Sequence, residues 1–96
     1  MVTVIAKITA KKDKINEVEK LLQSLIAPTL MEIGCKQYDL YRNITDNNIF
    51  FFHEIWNHKK YLDIHLKTER FLKTTQEITP LLECPIEISL VNKIIN

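Results

Sequence analysis

Residues whose chemistry can do more than fold a chain concentrate in the stretch FFFHEIWNHKKYLDIH, Phe50 to His65. In a strand, alternate side chains share a face, so Glu54 and Trp56 stand with Phe52. A carboxylate there lies either at the mouth of a cleft or inside the protein, and burial raises its pKa into a range suited to proton transfer. The plainer alternative is a structural carboxylate bonded to a lysine or a backbone amide. Trp56 is core or cleft wall, and its indole N–H needs a partner either way. His65 follows Tyr61 by four residues, which puts both on one helix face. A turn at Asn57 folds that helix back toward Glu54 and brings an imidazole, a phenol and a carboxylate toward one pocket. A histidine, with an ordinary pKa of about 6.5, can take a proton from a phenol or an activated C–H near neutral pH. A hydrogen-bonded core histidine fits the same spacing.

Other candidates are weaker. HEIWNH resembles a zinc-protease H-E-x-x-H, but the histidines are one residue too far apart and lie in a strand and beyond a turn, not on one helix face. No metal site is expected. His53 points away from Glu54 and reads as a packing or interface residue. Tyr38 and Tyr41 lie on opposite faces of their strand, so only one of them lines a cleft.

The elements that position these residues follow from periodicity. Val2, Val4, Ala6 and Ile8 alternate on one face of a first strand, with Ile5 on the other. Asp13 is a candidate N-cap for a helix carrying Ile15, Val18, Leu22 and Leu25 on one side. Pro28 should break or kink that helix near its end, and Gly34 should terminate it in a left-handed conformation. Lys36–Arg42 and Ile49–Trp56 read as strands joined by the polar turn NITDNN. Asn57 is expected to cap a short helix, and a second helical stretch carries Phe71, Leu72, Thr75 and Ile78 on one side. PIEISLVNKI supplies the last strand.

The order β-α-β-β-α-β gives an α+β, ferredoxin-like fold: an antiparallel sheet with helices on one face. The strand Ile49–Trp56 is apolar on both faces, so the face away from the helices needs its own cover. A second copy of the chain is the expected partner, because two-fold homodimers are the commonest soluble oligomers and a bare apolar face invites aggregation.

Composition bounds the function. A chain of 96 residues forms one domain over 1–96. Thirteen basic residues against twelve acidic ones are dispersed along it, leaving no electrostatic footprint for nucleic acid. No apolar run approaches the roughly 20 residues needed to span a bilayer. MVTVIAKITAKK lacks the flanks of a signal peptide and reads as a strand, so a cytoplasmic location is expected. Cys35 and Cys84 are too few and too distant for a disulfide framework and are expected to be buried and reduced.

VIAKITAKKDK, then APTLMEIGCKQYDLY with Glu32, Gly34, Cys35, Tyr38 and Tyr41, then FFFHEIWNHKKYLDIHLKTERF together resemble the antibiotic biosynthesis monooxygenase family, in particular its small quinol monooxygenase branch. The resemblance implies a dimeric α+β barrel and a pocket between sheet and helices. It also implies oxidation of a quinol or polyphenol-like molecule by O2 without metal, flavin or haem, and the sequence carries no cofactor motif. The candidate site then comprises His65 and Glu54 as catalytic residues, with Trp56, Tyr61, Tyr38, Phe52 and Phe71 binding substrate. Leu30, Ile33 and Arg70 depart from the family pattern, standing where many relatives have arginine, proline and a second histidine. Haem-degrading relatives need an asparagine near Ala6 and a histidine near Thr75, and neither is present. A non-catalytic ligand-binding or stress-response dimer, and an isomerase or degrading enzyme for a small signalling molecule, are the alternatives on this fold.

Overall fold

The structure is a computed structural model and describes residues 1–95. Strands β1 (Val2–Thr9), β2 (Cys35–Arg42), β3 (Ile49–Trp56) and β4 (Glu87–Val91) form one sheet in the order β2-β3-β1-β4. Every pairing is antiparallel. β3 has the expected bounds, and β2 begins one residue before the expected Lys36, with a bulge between Cys35 and Gln37 against β3. This is the α+β, ferredoxin-like arrangement, with each of its two helical connections broken in two.

The breaks have local causes. α1 (Ile15–Gln23) ends well before the expected stop, and α2 (Ile26–Leu30) follows after Ser24 and Leu25. A proline ring excludes the carbonyl four residues earlier, here that of Ser24, while Pro28 itself is tolerated in the first turn of α2, where no N–H donor is required. Asp13 is not the cap of α1. Lys14 holds that position without a side-chain bond, its N–H donating to the Lys11 carbonyl at 2.9 Å. α3 (Lys59–Leu66) is likewise capped one residue later than expected: His58 Nδ1, not Asn57, accepts from the Lys60 N–H at 3.1 Å. Thr68 caps α4 (Glu69–Ile78), its hydroxyl accepting from the Phe71 N–H at 3.2 Å. On α4 the buried side chains are Thr74 and Ile78, whereas Leu72, expected on the inner stripe, is 55% exposed. Spacing explains this, since Phe71, Thr74, Thr75 and Ile78 follow the i, i+3, i+4, i+7 pattern and Leu72 is turned about 100° from Phe71.

Gly34 has the expected left-handed conformation, with φ +86°, but it does not end the helix: α2 stops at Leu30 with Met31 as its cap, and Gly34 instead forms the turn into β2. A Cβ on Gly34 would come within 2.3 Å of the Tyr61 ring, and its carbonyl accepts the Asn57 N–H at 2.8 Å. The bend before β2 and the start of α3 are thereby pressed together.

The core lies between the sheet and the helices. Val4, Ala6 and Ile8 of β1 and Phe50, Phe52 and Trp56 of β3 face Val18 and Leu22 of α1, Leu62 of α3 and Ile78 of α4. Along β3 burial alternates strictly: even-numbered residues are buried and odd-numbered ones half-buried. On the outer face Ile5 is 41% exposed beside half-buried Phe51, His53 and Ile55.

Candidate active site

A small apolar cavity of about 40 Å3 lies between the inner sheet face and the helices, with Tyr38, Phe52, Glu54, Leu62, Phe71 and Ile88 among its walls. β1, β2 and β3 supply its floor. Tyr38 of β2 pairs across from Glu54 and stacks on Phe52 with ring centroids 4.6 Å apart. At 2% exposure Tyr38 is the inward-facing tyrosine, and Tyr41 is exposed.

Glu54 is the one carboxylate on this floor. It is 6% exposed, and its Oε1 accepts the Trp56 indole N–H at 3.0 Å. That bond satisfies the indole, which is wholly buried. Burial pushes the Glu54 carboxyl up to about 7, against the Trp56 hydrogen bond and with help from the Glu32 charge. Near neutral pH the group is divided between acid and base, the condition under which a carboxylate transfers protons efficiently. The Tyr38 phenol is driven well above its ordinary range by burial, with Glu54 adding to the effect and the neighbouring Thr29 hydroxyl opposing it. Thr29 is itself buried, and its hydroxyl has no hydrogen-bond partner of normal geometry among the described residues.

Behind the cavity wall lies a second polar pair. His65 of α3 is 1% exposed, and its Nδ1 sits 3.0 and 3.1 Å from the two carboxylate oxygens of Glu32. A carboxylate can only accept, so Nδ1 carries a proton, and the imidazole is oriented by a residue 33 positions earlier. Burial lowers the His65 pKa below its ordinary value, the hydrogen bond and charge of Glu32 opposing it. The other ring nitrogen, Nε2, is buried and has no hydrogen-bond partner among the described residues. The imidazole packs against Trp56 and Phe71, each with centroids 4.9 Å away, and meets Tyr38 edge-on at 5.6 Å.

The sequence-predicted residues therefore fall into two layers and one outlier. Tyr38, Phe52, Glu54 and Phe71 line the cavity, while Trp56 and His65 stand behind them. Tyr61 is elsewhere: its ring covers Gly34, and Tyr38 is the phenol paired with Glu54. Glu32, which the sequence reading named without a role, proves to be the partner of His65; the spacing from Glu32 through Gly34 to Cys35 was its only signal. His53 faces outward, its Nδ1 2.9 Å from Gln37 Nε2. Among the described residues no three His, Cys, Asp or Glu side chains converge on a common metal position. Both cysteines are free; Cys35 is half-buried, its thiol pushed up to about 11 by burial and by Glu54 and Glu32, while Cys84 is exposed and not the buried filler expected.

A sequence model of the family described as antibiotic biosynthesis monooxygenase matches residues 1–77. The chain belongs to that family. The Synechocystis protein sll1783 is 35% identical over 89 residues, 93% of this chain; the chain spans about 60% of that relative's length. A Mycobacterium tuberculosis protein carrying the name "Putative monooxygenase Rv0793" is 29% identical over 94% of this chain and 88% of its own length. A crystal structure titled as an antibiotic biosynthesis monooxygenase superposes with a TM-score of 0.92 at 31% identity, covering 98% of this chain and 99% of the other. The four-stranded antiparallel sheet and its helices are the fold of this family.

Proposed function

We propose that the chain is a monooxygenase that oxidises a quinol or a similar electron-rich phenol with O2, Glu54 being the proton acceptor. The observation that carries this reading is a buried carboxylate, poised near pH 7, on the floor of an otherwise apolar cavity. Its ionised form removes a phenolic proton. The resulting phenolate passes one electron to O2, and the semiquinone and superoxide recombine at a ring carbon. The hydroperoxide so formed loses water, leaving one oxygen atom on the ring as a hydroxyquinone. Aromatic walls at Tyr38, Phe52 and Phe71 suit a flat ring and exclude the water that would let the radical pair escape. The family membership and the monooxygenase names of its relatives support the same reading.

Oxygen uptake with a panel of hydroquinones tests it. Glu54→Gln keeps an acceptor for the Trp56 N–H and removes the base, so the rate should fall about 10²–10⁴-fold. For the native chain kcat/KM should rise with pH through about 7 and then level off, because the base acts when ionised. Equal rates for native and variant would sink the assignment.

A second copy of the chain is proposed as the cover of the outer sheet face, on the strength of the apolar Ile5, Phe51 and Ile55 that face carries. Such a dimer sediments at twice 11.3 kDa, and a mass of 11.3 kDa at micromolar concentration would refute it.

A further inference from the structure

The cavity and the phenol proposed for it do not match in size. About 40 Å3 admits little more than one water, whereas an apolar cavity of roughly 150 Å3 is what benzene occupies. A wall must move before a ring can enter. Tyr38 and Phe52 are 2% and 3% exposed and fixed in paired strands. Phe71 is different: it is half-buried, it sits in the first turn of α4, and the helical run is interrupted just before that helix at Lys67 and Thr68.

Packed on Phe71 is the ring of His65, whose Nε2 is buried and has no hydrogen-bond partner among the described residues. Burying such an atom without a partner is costly, because its hydration is lost and nothing replaces it. With Nδ1 protonated toward Glu32, a neutral imidazole offers Nε2 as a hydrogen-bond acceptor and nothing else. Tyr38 and Phe71 are the two cavity-wall rings that pack on the imidazole, and of the two only Phe71 is less than fully buried and lies outside the sheet.

We propose that Phe71 is a gate whose displacement joins the cavity to His65, and that the opened site takes a flat aromatic ligand whose hydroxyl donates to His65 Nε2. The class of ligand rests on the function proposed above; the gate and the acceptor rest on geometry. His65 is in this role a binding group that fixes the ring relative to Glu54, and it need not exchange a proton with the substrate. The arrangement also sets a preference: a ring bearing a hydrogen-bond donor satisfies Nε2, and a plain hydrocarbon of the same shape leaves it orphaned.

The test uses the whole chain with phenol and benzene as probes, under anaerobic conditions so that turnover plays no part. With histidine labelled by nitrogen-15, saturating phenol should move the His65 Nε2 resonance to the position of a hydrogen-bonded acceptor, and benzene should leave it in place. Phenol should bind at least tenfold faster to Phe71→Ala than to the native chain, and at least tenfold more slowly to Phe71→Trp. Phe71→Leu, which keeps apolar packing, should fall on the fast side if the alanine variant does not fold. Phenol bound with the Nε2 signal unmoved, absence of phenol binding, or association rates untouched by any Phe71 variant would overturn the proposal. Failure of the Glu54 oxygen assay would leave these binding results standing.

Discussion

The two faces of β3 differ sharply although they belong to the same eight residues. On the inner face Phe50, Phe52, Glu54 and Trp56 are between 0% and 6% exposed, and the one polar group is tied to the one indole. On the outer face Ile49, Phe51, His53 and Ile55 are only half-buried, and His53 meets a glutamine from the next strand. Adjacent ionisable residues, 53 and 54, thus live in different media. The difference teaches that burial, more than residue type, converts a side chain into a reagent: the Glu54 carboxyl is displaced from its ordinary range chiefly because water has been removed from it.

This contrast can be broken or sharpened by substitution. The largest effect belongs to the inner face. Trp56→Ala removes a wholly buried indole, strips Glu54 of its donor and His65 of a stacking partner, and should cost about 3–5 kcal/mol of stability in a urea titration. Next comes the pH dependence of Glu54. Its carboxyl titrates near 4.5 when unfolded and near 7 when folded, so the folded state holds the proton more tightly. The associated stability is fully present below about 4.5, declines as pH rises toward 7, and is lost above it, on the order of 3 kcal/mol in all. Subtracting the pH profile of Glu54→Gln from that of the native chain isolates this slope; a flat difference would mean the carboxyl is not perturbed. The smallest effect on the single folded chain is expected from the outer face. Phe51→Asp should change the inner site little, leaving the Glu54 profile in place, while halving the sedimenting mass of the proposed dimer.

How much of this was legible in the sequence depends on how local each feature is. β3 could be bounded to the residue because strict alternation and a polar turn mark it on both sides. The left-handed turn at Gly34 was legible for a similar reason, since one glycine after a helical pattern has few other uses, but the helix it was expected to end stops four residues earlier at Leu30. The caps were missed by one position, at Asp13 and Asn57, because neighbouring residues compete for the same role and loop geometry decides between them. Leu72 was misplaced because a helical stripe read without its sheet can be rotated by one residue. Tyr38 was among the expected pocket residues, but its position opposite Glu54 in place of Tyr61, and the pairing of Glu32 with His65, were not legible. They arise when segments 16 and 33 residues apart meet in the fold, Tyr38 against Glu54 and Glu32 against His65, and no periodicity carries that information.

Trp56 stands between the two carboxylate pairs, hydrogen-bonded to Glu54 on one side and stacked on the His65 that Glu32 holds on the other. It is also the only tryptophan of the chain. The molecule therefore contains a built-in optical probe: its ultraviolet emission comes from one indole whose excited state feels the proton on Glu54 and the ring of His65 directly. Titration, ligand entry and unfolding can each be followed in the unlabelled protein, and all three signals report from the same few ångströms of the site.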